Sequence, residues 1–347
     1  MRGIVGIQGM AWAIVTSSLA VVSACGASGS GTAANDAGPP PADASNEGEP
    51  QHLSETGLYS DITSKTVSAS VLEYAVQYAL WADSADKTRW ILLPAGAHID
   101  TSDMDHWQFP IGTKFFKEFA LNGKMLETRM VEHVSNTGKD EVDYRLSGFV
   151  WRDDESDADL ATKGAPDVRG TDHDLPTRDE CFKCHRGEAG KVLGFSAIQL
   201  SHPNSSVTLQ WLADQGKLTA PPAQGADFSP PGTPAVANAL GYMHANCGHC
   251  HNENGTAWPD NPMVLRLSVS ERTPESTALY AATIGVPMQR AKTSGDTDRV
   301  VAGHTEQSGL LYRMTLRDAA HEGMPPIASK KVDDNGKSIV ATWIQGL

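Results

Sequence analysis

Two short segments of this chain repeat one pattern of cysteine and histidine. The first is CFKCH, residues 181–185, and the second is CGHCH, residues 247–251. Each reads C-x-x-C-H, and the two copies contain four of the five cysteines in the 347-residue chain. Because the fold must bring each pair of sulfurs and its histidine to one place, these segments constrain the structure more than any other feature.

The C-x-x-C-H pattern is typical of covalent attachment of c-type haem. Two thiols three positions apart at the start of a helix reach the two vinyl groups of one porphyrin, and the following imidazole binds the iron. A four-thiolate zinc site is an alternative, but the pairs are far apart for a zinc ribbon, and zinc does not explain the histidines. A thioredoxin-like motif requires a βα junction, which the sequence does not indicate. We therefore predict two haem c groups, with attachment and iron-binding residues Cys181, Cys184, His185, Cys247, Cys250 and His251.

The N-terminal segment has the features of an export signal. Arg2 is followed by an apolar stretch that ends in small residues just before Cys25. The sequence VSAC, residues 22–25, resembles the lipobox of bacterial lipoproteins. That resemblance implies acylation of Cys25 and a location on the periplasmic side of a bacterial membrane, with the outer membrane favoured because Gly26 replaces a retention aspartate. An ordinary signal with a chance cysteine is the alternative.

The overall charge indicates which partners to expect. A formal net charge of −14 argues against nucleic acid and predicts an acidic soluble surface. Together with the predicted cofactors, it favours redox proteins as electron donor and acceptor, and the lipid on Cys25 as the membrane contact. If Cys25 carries a lipid and the other four cysteines carry haem, no cysteine remains for a disulfide.

Hydrophobic patterns divide the chain into a β-rich and a helical part. The dipeptide Asn122-Gly123 predicts a hairpin between two strands, and segments 89–94 and 143–151 predict further strands. Segments 206–216, 233–246 and 333–347 predict helices. The expected fold class is α+β multidomain, an N-terminal antiparallel β-rich domain followed by a mainly α-helical dihaem cytochrome c domain. The predicted boundaries are a signal peptide (1–24), a disordered tether (25–54), the β-rich domain (55–152), a connector (153–177), a first haem segment (178–232) and a second haem domain (233–347).

The C-terminal part resembles class I cytochromes c. A helix leads into the second C-x-x-C-H, Met324 precedes two prolines, and a last helix follows. This resemblance covers residues 233–347 and implies His251 as the proximal and Met324 as the distal iron ligand. Met314 is a competing ligand, and a core methionine at position 324 is the other alternative.

The sequence offers several candidates for the distal iron ligand of the first predicted haem. We favour His202, in the segment QLSHP, because it follows the first motif within one short region. The histidine at position 249 occupies a variable position of its motif and is expected to be exposed. The other candidates for the distal position are His173, His244, Met243 or no residue at all.

A longer resemblance starts near residue 56 and extends to the C-terminus. Segments 110–131, 182–201 and 241–252 are similar to a group of exported dihaem cytochromes of unassigned role, in which a β-rich domain precedes two haems. The expected function is electron transfer, and a catalytic role is uncertain. Two alternatives are an enzyme like the dihaem cytochrome c peroxidases and the haem subunit of an exported sugar or alcohol dehydrogenase.

Overall fold

The computed structural model describes residues 48–258, 260–289, 298–317 and 322–347. The predicted signal peptide, the lipidation site Cys25 and most of the predicted tether lie outside these residues. Glu47–Leu347 form one compact unit, which holds the β-rich segment and both cysteine motifs. In the part of the chain that the structure describes, no helix is long and apolar enough to cross a bilayer.

A six-stranded antiparallel sheet is the largest element of this unit, and each strand pairs with the next one in sequence. The predicted hairpin at Asn122-Gly123 is confirmed: both residues have positive φ and join the paired strands Lys114–Leu121 and Lys124–His133. The sheet contains β3 (Val71–Glu73), β4 (Asp86–Leu92), β5 (Lys114–Leu121), β6 (Lys124–His133), β7 (Tyr144–Trp151) and β8 (Ala158–Leu160), while β1 (Tyr59–Asp61) and β2 (Thr66–Val67) pair separately.

The helices are short, and the prediction of a mainly α-helical second part is wrong. Only 25% of the structure is helical. Prolines cluster between the helices, as in segment 221–231, and proline removes a backbone donor and fixes φ, so a long helix cannot form there. The helices are α1 (Asp140–Asp143), α2 (Arg178–His185), α3 (Ala197–Leu200), α4 (Leu209–Asp214), α5 (Pro234–Asn246), α6 (Ala278–Thr283), α7 (Gly309–Thr315) and α8 (Asp334–Gln345).

Both faces of the sheet are covered by apolar side chains. One face packs Trp90, Phe116 and Phe149 against residues from the N-terminal end of the described chain. The other face packs Phe115 against Phe195 and the segment that follows the first motif. The sheet therefore shares its core with the first cysteine-containing segment.

The end of the predicted tether differs from expectation, because residues 48–54 belong to the folded unit. Leu53 is fully buried in the core, and the Glu49 side chain is fully buried. Glu49 accepts a hydrogen bond from Ser147 at 2.5 Å and pairs with Arg178 at the start of α2. The region predicted as a connector also contains β8, which pairs with β7.

Helices α5 and α8 pack against each other and form the core around the second motif. This core contains Leu240 and Met243 from α5 together with Val340, Trp343 and Ile344 from α8. Tyr242 donates a hydrogen bond to the N-cap residue Asp333 of α8 at 3.1 Å. The position of α5, and of the motif that follows it, therefore depends on α8.

The close approach of these helices requires a glycine at position 336. A methyl group there would overlap the Tyr242 ring. We expect Gly336→Ala to lower the free energy of unfolding by about 1–2 kcal/mol, because overpacking outweighs the better helix propensity of alanine. Urea denaturation measures the effect. The control is Gly346→Ala, where an added methyl group meets only ordinary contacts; equal stability of the two variants would contradict the prediction.

Candidate functional site

The first motif lies in the C-terminal half of helix α2. Thr177 caps this helix, and Thr177 and Glu180 exchange the reciprocal hydrogen bonds of a capping box. Phe182, between the two cysteines, packs on Tyr144 and Leu146 of strand β7. The sheet thus positions the first motif, which lies at the end of its helix.

The second motif follows helix α5 directly. The Cys247 carbonyl accepts hydrogen bonds from the backbone N–H groups of Cys250 at 3.1 Å and His251 at 2.9 Å. The His251 carbonyl in turn accepts the Leu265 N–H at 2.8 Å. These bonds fix a tight turn, so this motif also lies at the end of a helix.

Both motifs open on one cavity of about 670 Å³, which is within the size range of small-molecule sites. Apolar side chains from the sheet, the α5 region and the 324–328 loop form much of its wall. The structure brings together most of the residues that the sequence singled out, and the cavity is lined by Cys181, Cys184, His185, Cys247, Cys250, His251, Met314 and Met324.

The two motif histidines are suited to bind a metal as neutral imidazoles. His185 donates from Nδ1 to the Lys191 carbonyl at 2.7 Å, which leaves the lone pair on Nε2. Burial lowers the pKa of His185 to about 4. Burial likewise lowers the pKa of His251 to about 4, and its buried Nδ1 has no hydrogen-bond partner among the described residues.

Met324 is fixed at the cavity by its backbone. Its N–H donates to the Arg313 carbonyl at 3.0 Å, and Pro325 and Pro326 continue along the cavity wall. Met314, the competing ligand, also lines the cavity and is 7% exposed. A thioether is therefore within the cavity lining, as the resemblance to class I cytochromes c implied.

The structure does not place His202 with the first motif. His202 lies on a separate surface depression, and its two ring nitrogens contact the Ala75 carbonyl at 3.2 Å and the Asn204 N–H at 3.1 Å. His244 accepts the Leu267 N–H at 3.1 Å, and neither it nor the buried Met243 lines the cavity. Of the candidates for this position, only His173 is at the cavity.

His173 is engaged with an acidic residue. Its Nε2 lies 2.6 Å from Glu127, which is fully buried and also binds the Arg129 guanidinium. Although burial alone would raise the pKa of Glu127, Arg129 and His173 hold it below its usual value. The His173 ring therefore takes part in a buried ionic cluster at the cavity wall.

The expectation that His249 is exposed is wrong. His249 is 7% exposed and forms a cluster with Cys184 and Cys250, whose ligand atoms all lie within 4.8 Å of one another. A hydrogen bond between the two thiols lowers the pKa of Cys184 and raises that of Cys250. The second cysteines of the two motifs are thus neighbours, and thiol and imidazole ligands of this kind also suit zinc.

Charge in the cavity wall is opposite to that of the whole chain. The chain has a formal net charge of −14, yet among the described residues six basic and two acidic side chains line the cavity. The basic ones are Lys87, Lys117, Arg129, Lys183, Arg299 and Arg313, and the acidic ones are Glu180 and Asp260. Four thiols, two neutral imidazoles, a thioether and a positive wall fit c-type haems, which present iron together with carboxylate groups.

Comparisons with protein-family models, curated proteins and solved structures find no match to this chain. Its function is therefore inferred from the site.

Proposed function

We propose that this chain is an electron-transfer protein that carries two covalently bound c-type haems, one at each C-x-x-C-H segment. The observation that carries the proposal is the opening of both motifs on the same cavity, with His185 and His251 poised as neutral ligands. At the second motif, His251 and Met324 would both be available to the iron, which suits exchange of single electrons without binding of substrate.

Each residue set has a defined role in this proposal. Cys181 and Cys184 hold one group, and Cys247 and Cys250 hold the other. The Lys191 carbonyl orients His185, because it fixes which ring nitrogen carries the proton. Met324, fixed by its backbone hydrogen bond, would supply a further ligand to the haem that His251 binds.

The proposal includes export and anchoring. Cys25 would carry the lipid that holds the protein on the periplasmic side of a bacterial membrane. The acidic surface would then meet the redox partners that deliver and remove electrons, because surface charge steers the encounter of protein partners.

Haem content tests the proposal directly. We expect the mature protein, expressed with the cytochrome c maturation machinery, to contain two haems per chain in a pyridine haemochrome assay. Intact mass is expected to show both groups bound covalently. Colourless protein, or a mass accounted for by the polypeptide and acyl chains alone, would contradict it.

The cluster of Cys184, His249 and Cys250 favours a second candidate, a single metal centre shared by the two motifs. Thiolate and imidazole are ligands that zinc prefers. The two candidates exclude each other, because a sulfur bound to a haem vinyl carbon is no longer a thiolate. Stoichiometric zinc in colourless protein would favour the shared centre.

A further inference from the structure

Three cationic side chains lie side by side on one face of the sheet. Strand pairing places Arg89 of β4 opposite Lys117 of β5, and Lys117 opposite Arg129 of β6. We call these three residues the cationic row. Like charges directly opposite each other destabilise a sheet, so the row requires a compensating anion.

Acidic side chains of the protein neutralise only part of the positive charge of the row. Arg129 binds Glu127, whereas Lys117 has no hydrogen bond or ion pair within the described ranges. Arg89, which is 7% exposed and is not among the residues that line the cavity, has one described hydrogen bond, to the Lys87 carbonyl at 3.4 Å. Burial and the two arginines lower the pKa of Lys117 to about 7, as expected for an ammonium group without an anion.

The cationic row lies beside the first motif. Lys117 and Arg129 line the same cavity as Cys184 and His185. An anion bound by Lys117 and Arg129 would therefore belong to whatever occupies the first motif.

We infer that Lys117 and Arg129 of the cationic row bind the carboxylates of the haem attached at the first motif, an inference that rests on the proposed function. Attachment at the cysteines uses the vinyl groups, so the propionate carboxylates are the charged groups that remain for the protein to bind. Arginine pairs with a carboxylate through two parallel hydrogen bonds, and lysine adds a point charge. Guanidinium groups remain protonated and do not bind iron, so the row as a whole suits an anion better than a metal.

Lys117→Met in the haem-loaded protein tests the inference. Methionine keeps much of the apolar length of the side chain, and no described partner loses its contact. We expect the reduction potential of one haem to fall by about 59 mV, a tenfold change in the one-electron equilibrium, while the other haem is unchanged. The reason is that an uncompensated carboxylate stabilises ferric iron. Spectroelectrochemical titration measures both potentials.

Two further variants serve as controls. Lys163→Met removes an exposed lysine and should change neither potential. Lys117→Arg keeps the charge, so it should keep the parent's potentials. If Lys117→Met fails to retain the first haem, recovery of that haem in Lys117→Arg supports the inference, and failure to recover it overturns the inference.

Several results would overturn the inference while leaving the proposed function intact. One is a protein with two haems whose potentials are the same in the parent and in Lys117→Met. A second is conversion of one haem to a high-spin spectrum, which would make Lys117 an iron ligand. A third is a potential that responds to added inorganic phosphate in the parent alone, which would assign the row to a soluble oxyanion. A parent without haem contradicts the proposed function itself, before any variant is measured.

Discussion

The double variant Cys247→Ala, Cys250→Ala is expected to retain one covalently bound haem per chain, half the content of the parent. Each motif has its own two sulfurs and its own histidine, so loss of one pair removes one attachment site. The first motif is held by the capped helix α2 and by the packing of Phe182 on β7, neither of which uses the second motif. Pyridine haemochrome per folded chain measures the result, and Cys181→Ala, Cys184→Ala should give the same half content.

The same pair of variants separates the two candidate functions. A metal centre shared by Cys184, His249 and Cys250 takes ligands from both motifs. Each double variant would then lose all of the bound metal, not half of it. The control is Cys25→Ala, which should keep two haems and lose only the lipid anchor. Complete loss of haem from both double variants would contradict independent attachment.

Glu127→Ala is expected to lower the free energy of unfolding by about 3–5 kcal/mol, because it leaves a buried charge without its partner. Glu127 is fully buried and contacts the Arg129 Nε through both of its oxygens, at 3.0 and 3.1 Å. His173 loses its partner as well, since its Nε2 contacts the same carboxylate at 2.6 Å. Without Glu127, the cationic row would have no described anion in contact. Urea denaturation of the mature protein measures the change.

A matched ion pair at the surface provides the control for this prediction. Glu141 lies 3.4 Å from Arg186, and both side chains are more than half exposed. Exposed pairs contribute at most about 1 kcal/mol, so Glu141→Ala should leave stability nearly unchanged. If both glutamate variants unfolded at the same urea concentration, the buried cluster would have no special role in stability.

Local patterns in the sequence predict several elements of the fold correctly. The Asn122-Gly123 turn, strands β4 and β7, and helices α5 and α8 all lie where periodicity and turn residues indicate. The overall helical content is not predictable in this way. A resemblance to small helical cytochromes overlooks the proline-rich connections, and it overlooks the shared core that joins Phe115 to Phe195.

Some residues of the candidate site can likewise be predicted from the sequence, and others cannot. The cysteines, the two motif histidines and Met324 are visible in the sequence because their chemistry depends on short spacings. The positions of His202 and His249 are not, because burial and long-range contacts decide them. The cationic row is missed because it depends on the register of three strands. The sequence gives one indication of the row. Lys117 shares a strand face with Phe115 and Phe119, so it interrupts the alternation of apolar and polar residues that a half-buried strand normally has.

The packing of α5 on α8 makes the two motifs depend on different parts of the chain. Glu49 and strand β7, which contact the helix that carries the first motif, precede that motif in the sequence. The second motif depends on α8, which follows it in the sequence. A polypeptide released before α8 could complete its first site and leave the second without a scaffold, so truncation would yield a carrier with one centre and not two.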